Sequence, residues 1–163
     1  MALLGTVARG AMAGALGTLL MTPVQLLGLE PSSRRDHARW MPRQVFTGLA
    51  QRLGFAHRTA GDERTALASA AHLAYGAAFG ALYALWRGTR GGNVPSGLAF
   101  GLAVWAGNYA GVLPAARIVP PPDEEHPAQT ARLVAAHIVY GTVLGLATGR
   151  GETGSHAGPE PAP

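Results

Sequence analysis

Four long stretches of this chain carry no Asp, Glu, Lys or Arg, and this distribution limits the possible folds more than any other feature. The stretches run over residues 10–29, 65–86, 91–116 and 133–149. A helix that crosses the hydrocarbon core of a bilayer needs roughly 17–25 mostly apolar residues, and all four stretches are near that length. Helices of a soluble bundle carry polar stripes at helical period, whereas these stretches are apolar on every side. The chain is therefore predicted to be an integral membrane protein.

The predicted fold is all-α, an integral membrane four-helix bundle that forms a single membrane domain over residues 1–150. The four spans are expected at about 5–28, 65–86, 93–115 and 131–149. Residues 151–163 are Gly, Pro and polar residues, and a tail of this composition is expected to be disordered.

A short amphipathic helix is predicted between the first two spans, at about 42–53. Pro42 suits its first turn and Gly54 its end. The apolar and polar residues fall on opposite sides, with Val45, Phe46, Leu49 and Leu53 on one side and Arg43, Gln44, Thr47, Gln51 and Arg52 on the other. This pattern is typical of a helix that lies in the headgroup layer. An ordinary amphipathic cap on the bundle has the same pattern, so both interpretations stay open.

The second and fourth spans contain the same phrase, Ala-His-x-x-Tyr-Gly-x-x-x-Gly, at residues 71–80 and 136–145. Its His, Tyr and Gly positions follow helical spacing and share one face of each helix. The phrase indicates duplication of a two-helix unit, so that spans 1–2 correspond to spans 3–4. Because the second and fourth spans then run parallel, His72 and His137 are expected at the same depth, about 10 Å into the helix at 1.5 Å per residue.

The polar candidates inside the membrane are His72, Tyr75, Asn108, His137 and Tyr140. An ionisable residue inside the bilayer is a functional hypothesis by default. The favoured interpretation is that each neutral imidazole forms hydrogen bonds that fix helix packing. The alternatives are a polar or proton-linked pathway, because His titrates near neutral pH, and haem held by the two histidines across the bundle. For Asn108, hydrogen bonding between helices is favoured over contact with a substrate.

Every predicted span contains at least one Gly-x-x-x-Gly motif. The motifs are Gly10/Gly14, Gly76/Gly80, Gly97/Gly101, Gly107/Gly111 and Gly141/Gly145. Small residues allow helices in lipid to approach closely, where packing rather than the hydrophobic effect holds them together. Packing inside the bundle is the favoured interpretation, and a homo-oligomer formed through the Gly faces is the alternative.

The composition excludes several classes of function. The chain has no Cys, which excludes disulfides, thiolate metal sites and cysteine nucleophiles. Its basic residues form no folded basic face with aromatic readers, so nucleic-acid binding is not expected. The acids Asp123, Glu124 and Glu125 beside His126 are interpreted as a solvated loop. No catalytic motif is present, and we expect no enzyme activity, metal or cofactor; the expected partner is the lipid bilayer.

The Arg residues predict an orientation. Arg9, Arg87, Arg90 and Arg150 lie on one side of the predicted spans, and the larger number lie in the first and third loops on the other. The excess of positive charge on cytoplasmic loops then favours both termini outside.

The chain resembles the YagU-like family of bacterial inner-membrane proteins. The resemblance rests on five phrases: Gly-Ala-Met-Ala-Gly at 10–14, His-Leu-Ala-Tyr-Gly-Ala-Ala-Phe-Gly-Ala-Leu-Tyr at 72–83, Gly-Leu-Ala-Phe-Gly-Leu-Ala-Val-Trp at 97–105, Leu113-Pro114, and His-Ile-Val-Tyr-Gly at 137–141. The resemblance implies a small multi-pass protein of the bacterial inner membrane, and the family supplies no catalytic residues. We expect a structural or interaction role in the envelope. A small transporter or proton-linked channel is the first alternative, and a haem-binding membrane protein is the second.

Overall fold

A computed structural model describes residues 2–27 and 40–149, and all regular structure in these ranges is helical. The helices are α1 (Ala2–Leu26), α2 (Met41–Arg52), α3 (Gly61–Arg87), α4 (Val94–Ala115) and α5 (Pro127–Ala147). Helices α1, α3, α4 and α5 are long and apolar enough to cross a membrane. This confirms an all-α protein with four candidate spans. The predicted disordered tail at 151–163 lies outside the described residues.

Local sequence explains where the helices begin. Helix α3 starts at Gly61, before the predicted span, and places Asp62 and Glu63 in its first turn, where negative charge interacts favourably with the helix dipole. Helix α4 starts with a capping box, in which the side chains of Asn93 and Ser96 each accept a backbone N–H of the other residue. The helices therefore extend into charged or polar flanks that a search for uncharged stretches leaves out.

Helix α1 packs against α3 along one side and against α5 along another, and α5 also packs against α4. Gly10 and Gly14 of α1 face Gly76 and Gly80 of α3. A Cβ atom built on any of these four glycines would overlap atoms of the facing helix, backbone atoms among them at Gly10, Gly14 and Gly80. Helices α1 and α3, called here the first hairpin, are therefore in direct main-chain contact. Helices α4 and α5 are called the second hairpin.

The second hairpin is packed in the same way. Gly97 and Gly101 of α4 face Gly141 and Gly145 of α5, although for Gly145 the nearest atoms belong to Asn93 and Val94 at the start of α4. Gly107 and Gly111 differ. A Cβ on Gly107 would meet no described atom within 4 Å, and one on Gly111 would meet only the carbonyl of Ala106 in its own helix. No described helix packs on this fifth Gly pair.

The two hairpins join through α1 and α5 on one side and through aromatic side chains on the other. The ring of Tyr140 on α5 lies against Gly17 of α1. Between α3 and α4, the ring of Phe100 lies 5.2 Å from that of Tyr83 and 6.2 Å from that of Trp86, measured between centroids. These contacts close the bundle near the turn between α3 and α4. Towards α2 the two helices leave a gap.

Candidate functional site

The gap between α3 and α4 is a cavity of about 740 Å³, named here the α3–α4 cavity. Helices α3 and α4 form its sides, and residues of α1 and α5, among them Thr18, Met21, His137 and Tyr140, form its floor. Val45, Phe46, Leu49 and Arg52 of α2 lie over one end. The lining is predominantly apolar, and its polar groups are concentrated near the floor.

The α3–α4 cavity opens sideways, towards the region that lipid would occupy. Of its lining residues, Tyr75 is 43% exposed and Val112 is 65% exposed. Ala103 and Gly107 are exposed as well. These residues lie in the two candidate membrane spans.

The two phrases that repeat in the sequence meet at the floor of the cavity. The hydroxyl of Tyr140 donates a hydrogen bond of 2.7 Å to the backbone carbonyl of Gly76. His137 precedes Tyr140 by about one turn, and His72 precedes Gly76 by about one turn. Both histidines line the α3–α4 cavity. The structure thus places His72 and His137 together at the floor of the cavity, at a similar depth along α3 and α5.

His137 has one ring nitrogen engaged and one open. It is 6% exposed, and its Nδ1 lies 2.7 Å from the backbone carbonyl of Leu133. A carbonyl only accepts hydrogen bonds, so Nδ1 carries the proton and Nε2 of the neutral ring keeps its lone pair. No residue in the described ranges hydrogen-bonds to that Nε2. His137 therefore presents an acceptor to the cavity.

His72 is held by ring contacts instead of hydrogen bonds. Its ring lies edge-on to Trp40, with centroids 6.1 Å apart, and the indole Nε1 of Trp40 donates to the side-chain oxygen of Gln25 at 3.2 Å. His72 also borders a second groove of about 760 Å³ between α1 and α3. That groove also borders Leu27, the residue after α1. His72 thus stands between two open spaces.

Asn108 joins α3 to α4 across the cavity. Its side-chain oxygen accepts from the hydroxyl of Tyr75 at 2.8 Å, and its side-chain nitrogen donates to the carbonyl of Val104 at 2.6 Å. This arrangement agrees with the expected hydrogen bonding between helices. Asn108 lies in a π-helical segment, Ala106–Val112, whose wider turn re-aims side chains and is common at functional sites.

Helix α2 covers one end of the α3–α4 cavity. Met41, Pro42 and Ala50 are buried, and Gly48 lies against the side chain of Ile118 beyond α4. The guanidinium of Arg52 donates to the backbone carbonyl of Ala116. Helix α2 therefore contacts the end of α4, and it also packs against α3.

All five polar residues singled out from sequence line this one cavity. The list of polar candidates from sequence left out Tyr109, which lines the same space and whose ring lies 5.9 Å from that of His137, edge-on. The feature of the sequence that could have identified Tyr109 is its position directly after Asn108 in an uncharged span. The list also left out Arg52, which the pattern of α2 placed on the polar side. No group of three or more metal-ligating side chains occurs within residues 2–27 and 40–149.

A scan against protein-family models, a search of curated proteins and a search of solved structures found no match to this chain. The resemblance to YagU-like proteins therefore stays a prediction.

Proposed function

We propose that this chain is a non-enzymatic membrane protein that binds a small amphiphilic molecule of the bilayer in the α3–α4 cavity. The observation that carries the proposal is the cavity itself. Its volume of about 740 Å³ falls in the range of roughly 300–1,000 Å³ that is typical of small-molecule sites. Such sites are mostly apolar and contain a few convergent polar groups, which describes this lining. Binding of a membrane molecule is one form of the interaction role expected from the sequence.

The lateral opening supports a ligand that comes from the membrane. Ligands from water would have to pass α2, whose buried residues Met41 and Pro42 pack into the protein. On the membrane side, small residues such as Ala103 and Gly107 leave the opening unobstructed. The residues that line the cavity stop at Phe79 and Tyr140, although α3 and α5 continue beyond them. This geometry favours a binding site in one half of the membrane over a passage across it.

The test compares molecules that co-purify with the protein and with two matched variants. Ala103→Phe places a ring in the cavity, and Ala99→Phe places the same ring one turn earlier on α4, outside the lining residues. Both alanines are exposed, so neither change should disturb helix packing. Each protein is purified in mild detergent, extracted with organic solvent and analysed by mass spectrometry.

We expect one molecular species at about equimolar amount in the original protein and in Ala99→Phe, and its loss in Ala103→Phe. If all three extracts contain the same lipids in the same amounts, the cavity does not select a ligand and the proposal fails.

Haem is a second candidate, favoured by the hydrogen bond between His137 and Leu133. Histidines that ligate metals usually donate the other ring N–H to a carbonyl or carboxylate, and His137 does this through Nδ1. His72 lines the same cavity and would supply a second ligand to the haem iron. An absorption spectrum of the purified protein, oxidised and then reduced, tests this: a Soret band that disappears in His137→Gln supports haem, and a colourless protein excludes it.

The cellular setting is part of the proposal. Helical spans and an excess of Arg on one side suit a bacterial cytoplasmic membrane, with α2 lying in the headgroup layer. The matched Gly contacts of the α1–α3 and α4–α5 pairs support descent from a duplicated hairpin. Of the five Gly motifs, Gly107/Gly111 alone has no described helix against it, and Gly107 borders the opening of the cavity.

A further inference from the structure

We infer that the ligand of the α3–α4 cavity is a neutral amphiphile with a flat, carbonyl- or hydroxyl-bearing ring as its head and a long apolar tail, the chemistry of a prenylated quinone. The head lies against His137, His72 and Tyr109, and the tail leaves between α3 and α4 into the bilayer. This inference rests on the proposed function and adds the class and orientation of the ligand.

The first argument is the balance of hydrogen bonds at the floor of the cavity. The hydroxyls of Tyr140 and Tyr75 are used by Gly76 and Asn108, and the amide nitrogen of Asn108 is used by Val104. Three groups remain without a partner in the described part of the chain: His137 Nε2, the imidazole of His72 and the hydroxyl of Tyr109. His72 and Tyr109 are only part-buried, and all three groups are open to the cavity that they line. A ligand head with both acceptor and donor capacity would satisfy these groups.

The second argument concerns charge. Among the described residues that line the cavity, Arg52 alone carries a permanent charge, and it is the last residue of α2, at the outer end of the cavity. Its guanidinium donates to the carbonyl of Ala116. The polar side chains of the floor are imidazole, phenol, amide and hydroxyl groups, none of which carries a permanent charge. An anionic head placed there would be a buried charge without a counter-ion, which is strongly unfavourable, so the floor suits a neutral head.

The third argument is the shape of the walls. The ring of Tyr75 lies 4.6 Å from that of Phe79 in a tilted arrangement, and the ring of Tyr109 stands edge-on to His137. Aromatic walls favour a flat ring, because offset-stacked and edge-to-face contacts add to the burial of apolar surface. The exposed Ala103 and Val112 mark the side through which a tail would leave.

The experiment measures binding of decylubiquinone to the full chain in nanodiscs made of one zwitterionic phospholipid. Quinones quench tryptophan fluorescence, and Trp105 lies one turn before Tyr109 on α4. Ala103→Phe, which blocks the cavity, gives the background from quinone dissolved in the lipid. The test variant is Tyr109→Phe, which removes one hydroxyl and keeps the ring. The matched control is Tyr83→Phe, whose hydroxyl lies 2.6 Å from Ser96 Oγ and outside the cavity.

We expect saturable quenching above that background, and an increase in Kd of about fivefold to tenfold for Tyr109→Phe, because one hydrogen bond contributes about 1–1.4 kcal/mol and 1.4 kcal/mol corresponds to tenfold. Tyr83→Phe should bind as the original protein does. Equal Kd values for all three would overturn the placement of the head.

A second arm distinguishes a charged head. Decanoate and dodecyl phosphate are titrated against the original protein and against Arg52→Gln. If the anions bind more tightly than decylubiquinone and Arg52→Gln weakens them, the head lies at Arg52 and the inference fails, although the proposed function stands. If no probe gives saturable binding and Ala103→Phe leaves the co-purified molecules unchanged, both fail.

Discussion

The helices of each hairpin touch through main-chain atoms, because glycines face glycines across both contacts. At Gly14, the space for a side chain is occupied by the carbonyl of Gly76 and by Gly80. Backbone atoms cannot rotate away as a flexible side chain can. In lipid, such close approach is what holds helices together. The absence of a Cβ atom at these glycines therefore determines how closely α1 and α3 approach.

Gly14→Leu is expected to separate α1 from α3 and to destabilise the protein by at least ~2 kcal/mol, since overpacking of a well-packed contact typically costs 1–3 kcal/mol or more. The measurement is the unfolding transition in mixed detergent micelles, followed by circular dichroism.

Gly5→Leu is the matched control, on the same helix, because a Cβ on Gly5 would meet nothing within 4 Å. Its unfolding transition should stay where it is in the original protein. Equal stability of both variants would show that α1 and α3 do not meet at Gly14.

Helical spacing was enough to predict which polar residues share a face, but not what that face meets. The repeated phrase placed His72 with Tyr75 and His137 with Tyr140, and all four line the α3–α4 cavity. The hydrogen-bond partner of Tyr140 is the carbonyl of Gly76, a main-chain atom that no residue pattern reveals. Tyr109 was missed for a related reason, since its direction depends on the local turn of α4.

At the scale of the element, α4 covers the predicted span but changes to π-helical geometry at Ala106–Val112. The N–H of Leu113 donates to the carbonyl of Asn108, five residues back, as in a π-helix. Pro114 follows, and it has no N–H to donate and crowds the preceding turn. Gly107 and Gly111 add two residues of low helix propensity. These features favour a π-helical turn, which is wider than an α-helical turn. The sequence alone does not say at which residue that turn begins.

Helix α2 presents two exposed surfaces of different character. Leu53 at its end is 71% exposed, and Gln51 is exposed on another side. If α2 lies in the headgroup layer, Leu53 faces the hydrocarbon and Gln51 faces water. The chain has no Cys, so single cysteines at these positions can carry nitroxide labels without background.

In liposomes, we expect the label at Leu53→Cys to be relaxed mainly by oxygen, which concentrates in the hydrocarbon, and the label at Gln51→Cys mainly by a water-soluble nickel complex. The measurement is power-saturation electron paramagnetic resonance. Equal access of the nickel complex to both labels would mean that α2 is only a cap on the bundle.

At the scale of the whole molecule, the fold was more predictable than the cavity. Uncharged stretches identify spans because the bilayer excludes charge, whatever the arrangement of the helices. A cavity forms where neighbouring helices do not pack against each other. Helices α3 and α4 touch through Phe100 near their shared turn and separate towards α2. No local pattern records that separation.

Four spans place the turn between α3 and α4 on the same side as the N-terminus. If both termini are outside, Thr89 in this turn faces the outside and Glu124, beyond α4, faces the cytoplasm. Both residues are exposed. With a membrane-impermeant maleimide on intact cells, we expect labelling of Thr89→Cys and none of Glu124→Cys. The opposite result would reverse the orientation, and labelling of both would contradict a crossing by α4.

The two matching tyrosines of the repeated phrase have different structural roles. Tyr140 is 3% exposed and links α5 to α1 and α3 through Gly17 and the carbonyl of Gly76, whereas Tyr75 is 43% exposed and borders the cavity. Of the two, Tyr140 holds the helices together, whereas Tyr75 shapes the wall of the cavity. A substitution at Tyr75 would therefore change what the cavity can accept and leave the contact of α5 with α1 in place.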